Sequence, residues 1–105
     1  MQNTTDNLSF LIYDLLPVGE SNKISTHALM QLINEPTVKG LKNRIRAERM
    51  NGALILSTTK NGGGYYKPMN DTEITEFIEL YSHHAISIFA MLKTAKESLK
   101  GKSAQ

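Results

Sequence analysis

From Ile74 to Leu99 the chain repeats one apolar pattern without a break: Ile74, Ile78, Tyr81, Ala85, Ile88, Leu92, Ala95, Leu99. The spacings are 4, 3, 4, 3, 4, 3, 4, and neither proline nor glycine interrupts the stretch. Only a helix brings such residues onto one side, and a strict alternation of four and three is the seam of a coiled coil. The pattern predicts a helix of about 28 residues, about 40 Å long at 1.5 Å per residue. A chain of 105 residues is then left with one small core, too small to cover a seam of that length. Ile74 to Tyr81 are expected to touch the protomer's own core. Tyr81, Ala85, Ile88, Leu92, Ala95 and Leu99 are expected to form a dimerisation seam, with Phe77, Phe89 and Met91 beside it. The competing reading is a helix that only covers its own domain. Gly101 is expected to end it, leaving 101–105 as a tail.

The remaining residues divide into short elements. Leu8, Leu11, Ile12, Leu15 and Leu16 form one helical stripe that Asp6 or Asn7 can cap and Pro17 with Gly19 ends. "MQNTT" before it reads as disordered. "NKIS" reads as a short strand. Ser25 or Thr26 caps a second helix with Ala28, Leu29, Leu32 and Ile33 inward, and Pro36 breaks it. Thr37 caps a third, whose apolar side is Val38, Leu41 and Ile45 and which Asn51-Gly52 stops. Gly40 inside that helix costs about 1 kcal/mol relative to alanine, and close approach to the second helix would account for it. "ALILST" and "YYKP" read as strands joined by "KNGGG", residues that tolerate the positive φ of a hairpin tip. Alternation predicts one of the two tyrosines inward and the other outward. Asn70 with Glu73 reads as a capping box for the long helix.

The order is helix, strand, helix, helix, strand, strand, helix. The expected class is α+β, mostly α: a winged helix-turn-helix core over 1–70 and the long helix over 71–100, without internal repeats.

Charge locates the candidate site. The net charge is only +2. Residues 1–22 carry three acids and no base, and residues 68–105 carry four lysines against five acids. Residues 23–67 carry eight lysines or arginines against Glu35 and Glu48. A local basic patch on a nearly neutral chain points to a polyanion. Its bland alternative is a solvated basic face. On the third helix Lys39, Lys42, Arg46 and Arg49 recur at spacings 3, 4, 3 as one stripe, with Asn43 beside it. Arginine and lysine can donate to guanine O6 and N7, and asparagine can pair with adenine, while other contacts reach only phosphate. Lys60 and Asn61 at the hairpin tip and Lys67 on its return strand are candidates for a flanking phosphate or the minor groove. Ser25, Thr26, His27 and Thr37, at the starts of the second and third helices, complete the expected DNA-binding set. The tip glycines either let a backbone approach the duplex or only make the turn.

Other chemistries find little support. There is no cysteine, which excludes disulfides and thiolate metal sites and fits a cytoplasmic chain. "NGGGYY" lacks the lysine and hydroxyl that end a nucleotide-binding loop. His83-His84 point to different sides of a helix, with Glu79 alone in reach, and make no metal site. No nucleophile–base arrangement or carboxylate pair stands out, so no enzyme, metal or cofactor is expected. No apolar run spans a bilayer, and "LSFLIYDLLP" lacks the preceding base and following small residues of a signal peptide.

"LLPVGESNKISTHALMQLI", "RIRAERMNGALILST" and "GGGYYKPMNDTEITEFIELYSHHAISIF" together resemble small winged-helix proteins encoded by phages and mobile elements of Gram-positive bacteria. The likeness covers residues 11–95, and "ERMNGALILS" with "GGGYYKP" is its most specific part. It implies a DNA-binding role in transcriptional regulation or replication. Two other readings are a winged-helix adaptor for an acidic protein and a phage inhibitor of a host nucleic-acid enzyme.

Overall fold

The computed structural model describes residues 10–103. The class is α+β and mostly helical, with a two-stranded antiparallel sheet and a long C-terminal helix. In chain order the elements are α1 (Leu11–Leu15), α2 (Thr26–Leu32), α3 (Val38–Met50), β1 (Leu56–Thr58), β2 (Gly64–Tyr66) and α4 (Asp71–Ser103). Single 3-10 turns lie at Glu20–Asn22 and Lys60–Gly62. The described residues fall into two compact units, divided between Ile74 and Thr75.

The first unit is built around α3, which both α1 and α2 touch. Its core joins Ile12 of α1 and Leu16 just after it, Leu29 of α2, Leu41 and Ile45 of α3, Ala53, Ile55 and Tyr65. Each fully buried Leu or Ile there contributes about 1.5–3 kcal/mol. The stripes are narrower than the sequence predicts. Leu11, Leu15, Leu32 and Val38 stay exposed. Asp6, Asn7, Leu8 and the "MQNTT" segment lie outside the described residues.

Local signals hold at most boundaries. The Ser25 hydroxyl accepts from the Ala28 N–H at 3.1 Å, and the Thr37 hydroxyl accepts from the Gly40 N–H at 2.9 Å. At the end of α3, Ala53 N–H donates to Glu48 O and Gly52 N–H to Arg49 O, a Schellman closure around Gly52 at φ +105°. Asn70 caps α4 by accepting from the Glu73 N–H at 3.0 Å. The reciprocal half of the expected capping box goes elsewhere: the Glu73 carboxylate takes the N–H of Met69 at 2.9 Å and of Glu20 at 3.0 Å. One acid thereby ties the start of α4 to the turn after α1.

The hairpin pairs Leu56 with Tyr66, Ser57 with Tyr65 and Thr58 with Gly64. The strand expected at "NKIS" is reduced to one bridge, in which Ile24 and Tyr65 exchange both backbone hydrogen bonds at 3.0 and 2.9 Å. That bridge explains Gly64. A Cβ there would lie 2.6 Å from the Ile24 carbonyl oxygen, so the third glycine of "GGG" serves strand approach. The alternation expected of the tyrosines does not appear. Tyr65 joins the core and Tyr66 is also buried, together with Leu56 opposite it, because both faces of this short hairpin are covered.

The second unit is α4 from Thr75 onward. The helix runs past Gly101 to Ser103, longer than the seam predicts, while residues 104 and 105 lie outside the described ones. Ile74 and Phe77 are half-buried, but Ile78 is 56% exposed and Tyr81 is exposed as well. No helix among the described residues is long and apolar enough to cross a membrane.

Candidate nucleic-acid interface

The cations of α3 fall into two groups. Lys39, Lys42 and Arg46, with Asn43 among them, are exposed, and none is tied to another described residue. They lie away from Leu41 and Ile45, which are buried. The amphipathic turn of α3 thus holds its apolar side on the core and keeps this polar set in water.

Arg49 belongs to the second group: unlike the rest of the expected DNA-reading stripe, it is engaged within the fold. Its Nε donates to the Ile55 carbonyl at 2.9 Å and its Nη2 to the Ser57 hydroxyl at 3.3 Å. It fastens the last turn of α3 to the strand that follows, where a cation also meets the negative end of the helix dipole. Arg44 is engaged too, in an ion pair of 3.3 Å with Glu35.

Two acids that the sequence did not single out organise this element. The Glu48 carboxylate reaches back 36 residues in sequence to accept from the N–H groups of Ile12 and Tyr13, at 2.9 and 3.0 Å. It caps α1, which has no capping hydrogen bond from its own N-cap side chain. Glu35, with a side chain 13% exposed, folds its carboxylate over the first turn of α3 and accepts from the N–H and hydroxyl of Thr37, both at 3.5 Å. Gly40 lies beneath this carboxylate: a Cβ there would have to displace it and would come within 2.9 Å of the Thr37 hydroxyl. The expected cause, approach to α2, is replaced by approach of one side chain.

Glu35 also changes the expectation at Thr37. A helix N-terminus attracts anions, but here a carboxylate already occupies it. Thr37 caps α3 with this carboxylate beside it. Ser25 caps α2 and keeps its O–H to donate. Thr26 is half-buried as the first residue of α2. His27 is exposed and borders a shallow cleft with Gln31, Asn34 and Glu35.

Lys60 and Asn61 are exposed at the hairpin tip, where Asn61 is left-handed at φ 49°. Lys67 is not available in the same way. Its ammonium lies 4.9 Å from the centre of the Tyr13 ring, a cation–π contact within the first unit. The site that remains on α3 and the hairpin tip is Lys39, Lys42, Asn43, Arg46, Lys60 and Asn61. Among the described residues no cluster of His, Cys, Asp or Glu is arranged to hold a metal.

No protein-family model, curated protein or solved structure matches this chain.

Proposed function

We propose that the protein is a winged helix-turn-helix protein that binds duplex DNA as a homodimer and acts in transcriptional regulation or replication of a phage or mobile element. In this reading α2 and α3 are the helix-turn-helix, α3 enters the major groove, and the glycine-tipped hairpin is the wing. The observation that carries it is the sorting of charges on α3. Arg49 at the helix end is engaged by the fold and Arg44 is paired with Glu35, while Lys39, Lys42 and Arg46 stand exposed around Asn43. A set that only solvated a surface would have no need of an amide between three cations, whereas base edges accept both kinds of donor. The likeness of "ERMNGALILS" and "GGGYYKP" to phage-encoded winged-helix proteins supports the same reading.

The test is the double variant Lys42→Ala/Arg46→Ala. Both side chains are exposed, so stability should change by less than about 1 kcal/mol in total. A base-reading contact is worth about 1–3 kcal/mol. Duplex affinity should fall at least tenfold, measured by fluorescence anisotropy on sequences selected from a random pool. Parent-like binding by a folded double variant would remove α3 as the reading element.

A further inference from the structure

We propose that α4 pairs with α4 of a second copy of this chain in antiparallel sense, in the register that sets Ile78 against Ala95, Tyr81 against Leu92 and Ala85 against Ile88 of the other copy. The inference deepens the homodimer reading above and rests on it, but it does not rest on DNA binding.

The need for a partner comes from exposure. Along α4, Ile78, Tyr81, Ile88, Leu92 and Leu99 are all more than 40% exposed, and Phe89 reaches 69%. A water-facing helix of this length gains little from propensity alone; most helical stability comes from covering an apolar face. The seam also repeats every three and four residues, which is the arrangement two helices use to interlock.

Side-chain size argues for the direction. In a parallel pair each seam residue meets its own copy, so Ala85 would face Ala85 and Ala95 would face Ala95. Two layers would be underfilled, and each unfilled methyl-sized void costs about 1 kcal/mol. In an antiparallel pair the two seam positions alternate across the interface. One register then sets both alanines against isoleucines and puts leucine against tyrosine. A large residue opposite a small one fills a layer to normal density.

Charge argues the same way, independently. Residues 71–82 carry Asp71, Glu73, Glu76 and Glu79 and no base. Residues 91–101 carry Lys93, Lys96 and Lys100 against Glu97. Parallel pairing would bring the acidic halves together and the basic halves together. Antiparallel pairing lays each acidic half along a basic one, at an interhelical distance of about 8–10 Å that salt only partly screens. The two-fold axis then crosses the helices between Ile86 and Ser87.

The chain lacks cysteine, so an introduced thiol is the only one present. Tyr81→Cys and Leu92→Cys are made as separate full-length proteins. Each is oxidised alone, and then the two are oxidised together after mixing in equal amounts. The antiparallel register brings position 81 next to position 92 and keeps each away from its own copy. The mixture should therefore give a disulfide-linked species of twice 11.7 kDa on a non-reducing gel, while neither single protein does. The yield should approach about half, the share of mixed pairs, because only facing Cβ atoms within about 4.5 Å can be bridged. Self-linking of each single protein would overturn the antiparallel sense and leave the dimer standing. A parent protein that sediments as a monomer at micromolar concentration, with no linking in any arm, would overturn the dimer reading itself.

Discussion

Arg46 and Arg49 lie three residues apart on one helix, and the structure gives them opposite tasks. Replacing Arg49 by alanine removes the Nε bond to Ile55 O and the Nη2 bond to Ser57 Oγ. Hydrogen bonds from charged donors contribute about 1.5–3 kcal/mol, and a buried carbonyl left without a partner costs about 1–3 kcal/mol. Ile55 is 1% exposed, so water does not readily replace the guanidinium. The two figures describe overlapping losses and do not add, so the expected destabilisation is about 2–3 kcal/mol. For a folded unit of this size that lowers the melting temperature by about 10–20 °C. Arg49→Lys keeps the charge but not the planar fork, and it should recover less than half of the loss. Arg46→Ala should leave the melting temperature within about 2–3 °C of the parent, since its side chain is exposed and uncommitted. Its effect should appear in duplex affinity. Calorimetry and anisotropy on the three variants separate the roles. An Arg49→Ala protein that melts like the parent and has lost DNA binding would refute the assignment of Arg49 to the fold.

Three further outcomes follow from the same contacts. Glu48→Ala removes the shared cap of the Ile12 and Tyr13 N–H groups, so it should cost about 1–2 kcal/mol, and amide exchange should quicken at those two positions first. Gly40→Ala must displace the Glu35 carboxylate and meets the Thr37 hydroxyl, so it should gain less than the about 1 kcal/mol that helix propensity alone would give. In a Glu35→Ala background only the Thr37 contact remains, so the same change should be more favourable than in the parent; denaturant midpoints of the four proteins in the cycle measure this. Lys60→Ala should weaken binding about equally for all duplex sequences and reduce the salt slope by about one for each protomer bound.

The sequence carried the local chemistry well and the long-range chemistry poorly. Ser25, Thr37, Asn51-Gly52 and Asn70 were legible because a cap or a stop is decided within three or four residues, and the structure uses each as expected. The long helix was legible because a 26-residue seam admits one period. Glu48 was not, because its partners lie 36 residues earlier and nothing in a run of charges says which acid turns inward. Arg49 is an intermediate case. At 100° per residue it sits about 60° from the mean direction of Leu41 and Ile45, nearer the core than Lys39, Lys42 or Arg46. The wheel therefore held a signal that the 3, 4, 3 spacing concealed. The alternation expected of the two tyrosines failed, and the ring contact of Lys67 was not legible, for a common reason. The hairpin is covered on both faces, so simple alternation does not separate inside from outside, and Tyr13 draws the lysine inward. Gly40 was marked as anomalous by helix propensity, but only the structure shows that the Glu35 carboxylate and the Thr37 hydroxyl are what a side chain there would meet.

The central claim is that the cations left exposed on α3 and at the hairpin tip meet the backbone and bases of duplex DNA. The measurement that tests it most directly is the salt dependence of duplex binding by the parent protein. Each phosphate contact contributes about 0.9 to the slope of log K against log salt. Lys39, Lys42, Arg46 and Lys60 supply four cations per protomer, some of which reach bases instead. A dimer should therefore show a linear fall with a slope between about −4 and −7. No detectable binding to selected or random duplex at about 50 mM salt, or binding whose strength does not change with salt, would contradict the account.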